Sequence, residues 1–173
     1  MKPTARETVR LAYSQVGYTC GTNKVNKYAG WIDKHYPTFY NSRKQGVDFC
    51  DIFCDFCVLY NAKSAKDAEY VLCQPAKSCG AGVEWSYKYY KAKHRNTSIA
   101  HYGDQIFFSK NGKASGLYHT GIVYKVDSKY VYYVAANEAA VKNGKKCRAV
   151  KKHKYLKTNK RIFAYGRPRY TAE

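Results

Sequence analysis

Apolar positions in the first half of the chain recur at helical spacing; in the second half they alternate. Thr4 with Glu7, after Pro3, has the pattern of a capping box. It opens a helix over about Ala5 to Val16, with Val9, Ala12 and Val16 inward and Gly17 as the stop. Tyr28, Trp31 and Ile32 form a stripe that predicts a short helix over Lys27 to His35. The next helix is the most apolar. In Asp48 to Tyr60, Phe49, Phe53, Phe56 and Tyr60 recur at i, i+4, i+7 and i+11, and Cys50, Cys54 and Cys57 follow the same spacing beside them. Two adjacent stripes predict a helix buried on most of its circumference, at the centre of the domain. Ser64 and Asp67 cap a further helix through Leu72, residues 74–82 read as loop, and Val83 to Lys93 is an aromatic, helix-compatible run.

From about His101 the period changes to two. Asp104 to Ser109, His119 to Val126 and Lys129 to Ala136 read as strands, with Asp127-Ser128 in the turn between the last two, and Arg161 to Gly166 is a final short strand. Between Ala139 and Ala172 there are twelve Lys or Arg and no acidic residue, which reads as a basic lobe rather than a second domain. Helices first and an antiparallel sheet after predict an α+β fold, with residues 1–173 forming a single domain.

Charge narrows the partners. Thirty-one Lys and Arg against twelve Asp and Glu give a net charge of +19, far beyond what solubility needs, and predict a polyanionic partner or environment. Nucleic acid, acidic lipid and the teichoic acids of a bacterial wall all qualify. The nineteen tyrosines suit a groove for a polar polymer, and suit equally the outer shell of a β-rich core. Seven cysteines at irregular spacing do not form a full disulfide framework and fit a chain folded in a reducing compartment, although Cys73 and Cys79 are close enough to be bridged. No stretch is long and apolar enough for a membrane span, and MKPTARETVR has no apolar core of a signal peptide.

The cysteine helix carries the candidate chemistry. With Asp48 as expected N-cap and Asp51 three residues on, Cys50 falls in the first turn, where unpaired N–H groups and the helix dipole favour a thiolate. The two aspartates oppose that effect, so a basic partner is needed. Cys54 and Cys57 lie deeper, as packing residues. Among five histidines, His119 differs because it opens a strongly alternating strand, so its ring would project at the sheet rim. A three-residue loop over Asp127 to Lys129 puts position 119 opposite 137, where Asn137 can accept the imidazole N–H; a two-residue loop would put 119 opposite Ala136 instead. Cys50, His119 and Asn137 are the expected site, and strand parity points Glu138 away from it.

These residues resemble the CHAP family (cysteine, histidine-dependent amidohydrolase/peptidase). The pieces run in order through nearly the whole chain: QVGY at Gln15 to Tyr18, FCDIFCDF at Phe49 to Phe56, YGDQIFF at Tyr102 to Phe108, HTGIVY at His119 to Tyr124 and the closing AYGRPRY. The resemblance implies a papain-like α+β fold (NlpC/P60-like) and cleavage of an amide bond of peptidoglycan, as an amidase or endopeptidase of endolysin or autolysin type. Cys50 maps to the nucleophile and His119 to the base. Where the family often has Glu-Gly-Asn, this chain has Ala135-Ala136-Asn137, so the orienting carboxylate is missing from its usual position.

Acyl transfer through a thioester follows from that chemistry, without metal or other cofactor. The implied partners are peptidoglycan of a Gram-positive wall and its anionic polymers, with no specific nucleic acid. A monomer is expected, made in the bacterial cytoplasm and delivered by holin-type release, on a phage tail or within a larger protein. The alternative is a degenerate CHAP domain that binds wall or another polyanion with little or no hydrolysis. Two other readings are weaker. Cys54-x2-Cys57 followed by Cys73-x5-Cys79 comes near a zinc-ribbon spacing but lacks a knuckle turn, and a thioredoxin-type role would need that Cys-x-x-Cys pair at an exposed helix start.

Overall fold

The computed structural model describes residues 1–76 and 80–172. It is an α+β structure in which helices on one side cover a six-stranded antiparallel sheet. The helices are α1 (Ala5–Ser14), α2 (Lys27–His35), α3 (Cys50–Leu59), α4 (Ala65–Val71) and α5 (Val83–Ala92). The strands are β1 (Asn96–Thr97), β2 (Gln105–Ser109), β3 (Leu117–Val126), β4 (Tyr130–Lys142), β5 (Lys145–Leu156) and β6 (Ile162–Gly166), in the order β1-β6-β2-β3-β4-β5. Among the described residues, no helix is long and apolar enough to cross a membrane.

The expected caps form where their chemistry allows. Thr4 and Glu7 make a reciprocal capping box on α1, and Ser64 accepts the Asp67 N–H at the start of α4. Asn26 caps α2 by accepting from Ala29. The start of α3 differs from expectation. Its N-cap is Phe49, with no side-chain cap bond, because Asp48 is drawn to Lys24 at 2.5 Å. Asp51 points inward instead of back along the helix and accepts three hydrogen bonds, from the Gly82 N–H, the Ser86 hydroxyl and the Gln105 amide, each at 2.9 Å.

Every residue of α3 is buried. Its aromatic stripe packs with Tyr28 and Ile32 of α2, and with Ile122, Val134 and Ala136 from β3 and β4, in the main core. A second cluster joins Cys50 to Val83, Tyr87 and Tyr90 of α5 and to Phe107 of β2. The opposite face of the sheet carries a third apolar layer, with Ile106, Phe108, Val123, Val131, Tyr133 and Ala135. Successive strand residues therefore serve different layers: Phe107 faces α5, and Phe108 faces away from it.

Besides the two-residue β1 and the last six residues of β4, the strand that the sequence pattern does not show is β5. Its lysines hide the alternation, but the turn before it was legible: Asn143 and Gly144 both take positive φ, 50° and 73°, as a two-residue hairpin loop requires. Three residues separate β3 from β4, with Asp127 accepting from the backbone of Lys129 and Tyr130. The register at the loop is nevertheless not that of a three-residue connection: Val126 pairs with Val131, and a bulge between Val123 and Lys125 restores Ile122 opposite Val134.

Gly121 on β3 lies so close to β4 that a Cβ there would sit 2.6 Å from the Val134 carbonyl oxygen and 3.1 Å from the Ala135 Cβ. The Val134 oxygen is backbone, and the Tyr133 ring carbon at 2.9 Å belongs to a buried side chain, so there is no cheap relief. Gly121→Ala is expected to cost about 1–3 kcal/mol in urea unfolding, as forced overpacking does; an unchanged midpoint would show that β3 and β4 are not this closely apposed.

Candidate active site

Cys50 opens α3 as expected, but its sulfur is enclosed, with the residue only 4 % exposed. Burial, together with the nearby Asp51 and Asp48 carboxyls, pushes the thiol up to about 12, although backbone N–H groups of Asp51 and Thr120 donate toward the sulfur. The expected lowering by the helix start is thus reversed: two N–H groups do not outweigh desolvation and two acids. The unliganded thiol is protonated at neutral pH. Cys54 and Cys57 lie in the main core, as packing residues would.

His119 sits on β3 directly before Thr120, the residue whose N–H reaches the Cys50 sulfur. The two strand neighbours face opposite ways. Thr120 turns toward α3, where Gln105 links it to Asp51, while the His119 ring stacks near Phe108 with centroids 5.9 Å apart. Among the described residues, no hydrogen bond joins Cys50 to His119. The sulfur on α3 and the imidazole on β3 lie on opposite faces of the strand and form no preformed ion pair.

The imidazole's partner is Glu138, not Asn137. His119 Nε2 lies 2.7 Å from Glu138 Oε1. The reason is a β-bulge: the β4–β5 register shifts between Ala135 and Glu138, and Asn137 adopts a left-handed φ of 61°. One extra residue inverts the parity, so Glu138 arrives on the face where alternation alone would put its neighbour. Asn137 is turned aside and donates through Nδ2 to Asp48 at 2.9 Å, leaving its buried Oδ1 without a hydrogen-bond partner. The expectations that Glu138 points away and that Asn137 holds the ring are both corrected.

A second histidine completes the cluster. His153 of β5 stacks on Tyr133 with centroids 5.3 Å apart, and its Nε2 lies 3.2 Å from the same Glu138 oxygen. That nitrogen is off the line of a hydrogen bond, so the contact is electrostatic. Burial alone would raise the Glu138 carboxyl, but His119 and His153 more than offset it and hold the group at about 2. Glu138 is therefore a carboxylate that can only accept, which puts the proton on His119 Nε2. His119 Nδ1 is left as the basic nitrogen, with no hydrogen-bond partner among the described residues.

The pocket over this cluster has a volume of about 560 Å³ and is lined by His119, Glu138, His153, Asp48, Asn137 and Tyr118, among others, but not by Cys50. Among the described residues, no group of three His, Cys, Asp or Glu side chains is arranged to hold a metal ion. The suggested Cys73–Cys79 pairing, and the zinc spacing that uses Cys79, fall partly on residues 77–79, outside the described residues. Compared with protein-family models, with curated proteins and with solved structures, the chain matches none of them.

The buried seat of Cys50 makes a direct prediction. Titrated by thiolate absorbance or by alkylation rate, the Cys50 thiol of the resting protein should ionise far above the ~8.5 of a free cysteine, near the value of about 12 that its surroundings dictate. An apparent pKa below that of free cysteine would mean that an imidazole already holds the thiolate.

Proposed function

We propose that the chain is a cysteine-dependent amide hydrolase of papain-like, CHAP type acting on bacterial peptidoglycan, with Cys50 as nucleophile, His119 as base and Glu138 as the group that orients the imidazole. The observation that carries it is the 2.7 Å His119–Glu138 pair, which leaves Nδ1 basic beside the residue whose backbone N–H reaches a helix-start sulfur. That is the division of labour a thiol, an imidazole and an orienting acid need. The ordered sequence motifs support the choice of substrate, as does the +19 charge, which suits an anionic wall.

In this mechanism substrate entry brings the Cys50 sulfur, which in the resting fold lies on the other face of β3 from the His119 ring, to Nδ1. Nδ1 then takes its proton, because a thiol pushed to about 12 supplies almost no thiolate by itself. The sulfur attacks the amide carbonyl, and the Cys50 backbone N–H at the uncapped start of α3 is a natural donor to the oxyanion. His119 then protonates the leaving amine and activates the water that hydrolyses the thioester. Glu138 stabilises the imidazolium at each stage through the Nε2 hydrogen bond.

A second reading has its own observation. The enclosed sulfur, absent from the pocket lining beside His119, favours a domain that grips the wall without cutting it. Turbidity loss of purified Gram-positive walls separates the two. Hydrolysis predicts that Cys50→Ala abolishes the loss, that Glu138→Gln lowers the rate by about 10²-fold or more, and that Asn137→Ala costs much less. Equal turbidity loss from the parent and Cys50→Ala would overturn catalysis through this thiol; a larger loss of rate from Asn137→Ala than from Glu138→Gln would restore the asparagine to the orienting role.

A further inference from the structure

The His119 pocket does not end at the histidine. It shares Ala139 and Arg148 with a larger groove of about 670 Å³ that runs along the β4–β5 hairpin. The Lys24–Asp48 ion pair also bridges the two, since Lys24 lines the groove and Asp48 lines the pocket. The groove wall carries Lys24, Lys146, Arg148 and Lys151 and no acidic residue. Lys24 is neutralised by Asp48, and Lys151 donates to the Ala139 carbonyl, which fixes its position without cancelling its charge. Among the described residues, no carboxylate pairs with Lys146, Arg148 or Lys151. Lys146 and Lys151 thus line, without a carboxylate partner, a concave surface continuous with the candidate site, joined there by Arg148, whose charge also acts on Asp48.

We infer that this hairpin groove is a binding subsite for oxyanion groups of the wall polymer, holding the substrate's anionic flank while an amide reaches His119. The inference rests on the proposed wall hydrolysis for the identity of the polymer, but on the groove alone for the charge it selects. Oxyanions satisfy the unpaired ammonium and guanidinium donors together, and Arg148 reaches the shared wall where a bidentate contact would register the chain against the catalytic pocket. Two sources carry this chemistry in a wall: phosphodiesters of attached polymers and free carboxylates of the peptide stems.

Sedimentation with cell walls in graded salt tests it, in a Cys50→Ala background so that the walls persist. Lys146→Ala with Lys151→Ala should weaken binding about tenfold and flatten its salt dependence, as loss of two polyanion contacts does. Lys91→Ala with Lys93→Ala removes equal charge near the β1–β6 edge of the sheet, far from the hairpin, and should change binding less than about twofold. Walls stripped of phosphodiesters by hydrofluoric acid identify the source: loss of the lysine effect assigns phosphodiesters, and its persistence assigns carboxylates. Equal losses from the two lysine pairs, or none from either, would overturn the groove. So would a single-stranded oligonucleotide bound through Lys146 and Lys151 more tightly than walls. Turbidity loss by the Cys50 protein is read separately. Selective binding without turbidity loss removes the hydrolase and keeps the groove, whereas turbidity loss with unselective binding does the reverse.

Discussion

The buried Asp51 carboxyl is the constraint from which the rest of the site follows. It takes hydrogen bonds from the start of α5 through Gly82 and Ser86 and from β2 through Gln105, whose amide also donates to Thr120 on β3. One side chain therefore seats the first turn of α3 against a helix and two strands. Burial raises its own pKa, as it must for an acid with no cation beside it. Because Asp51 follows Cys50 directly, the group that locks the helix start in position also disfavours ionisation of the sulfur next to it. Positioning and reactivity are set against each other at this helix start, and any chemistry at Cys50 needs a base brought to the sulfur.

Much of the architecture was legible because local chemistry and burial agree. The Thr4–Glu7 and Ser64–Asp67 caps, the α2 stripe and the continuous apolar surface of α3 all carry signals that no tertiary contact overrides. The reading was less complete where charge masked periodicity. In β5 the buried positions are few and lie between lysines, so composition suggested a lobe while Asn143-Gly144 was already specifying a hairpin. Asp48 was misassigned for a different reason. A helix-start aspartate is a good cap only if nothing better is within reach, and Lys24, distant in sequence, offers a full charge.

The site itself was half legible. A cysteine at a helix start follows from pattern alone; the histidine follows as a strand residue, although β3 begins two positions before it, at Leu117. The orienting group did not follow, because ideal alternation was carried through a point where β4 gains a residue. Asn137 held the clue: asparagine is among the few side chains that accept a left-handed backbone, and such a residue inside a strand marks a bulge. His153 sits in a lysine-rich stretch whose strand, β5, the alternation does not show, so no pattern marks it out.

The bulge has a wider consequence for how such sites are compared. Around position 137, what reaches the imidazole is decided by backbone count and not by the letter in a given column. A carboxylate lost at one position can be replaced by another three places along without any change of chemistry, provided that the chain takes one additional step between them. Sequences that appear by column-wise comparison to lack the carboxylate can in this way keep one on the imidazole, and only the path of the main chain distinguishes them from those that do not.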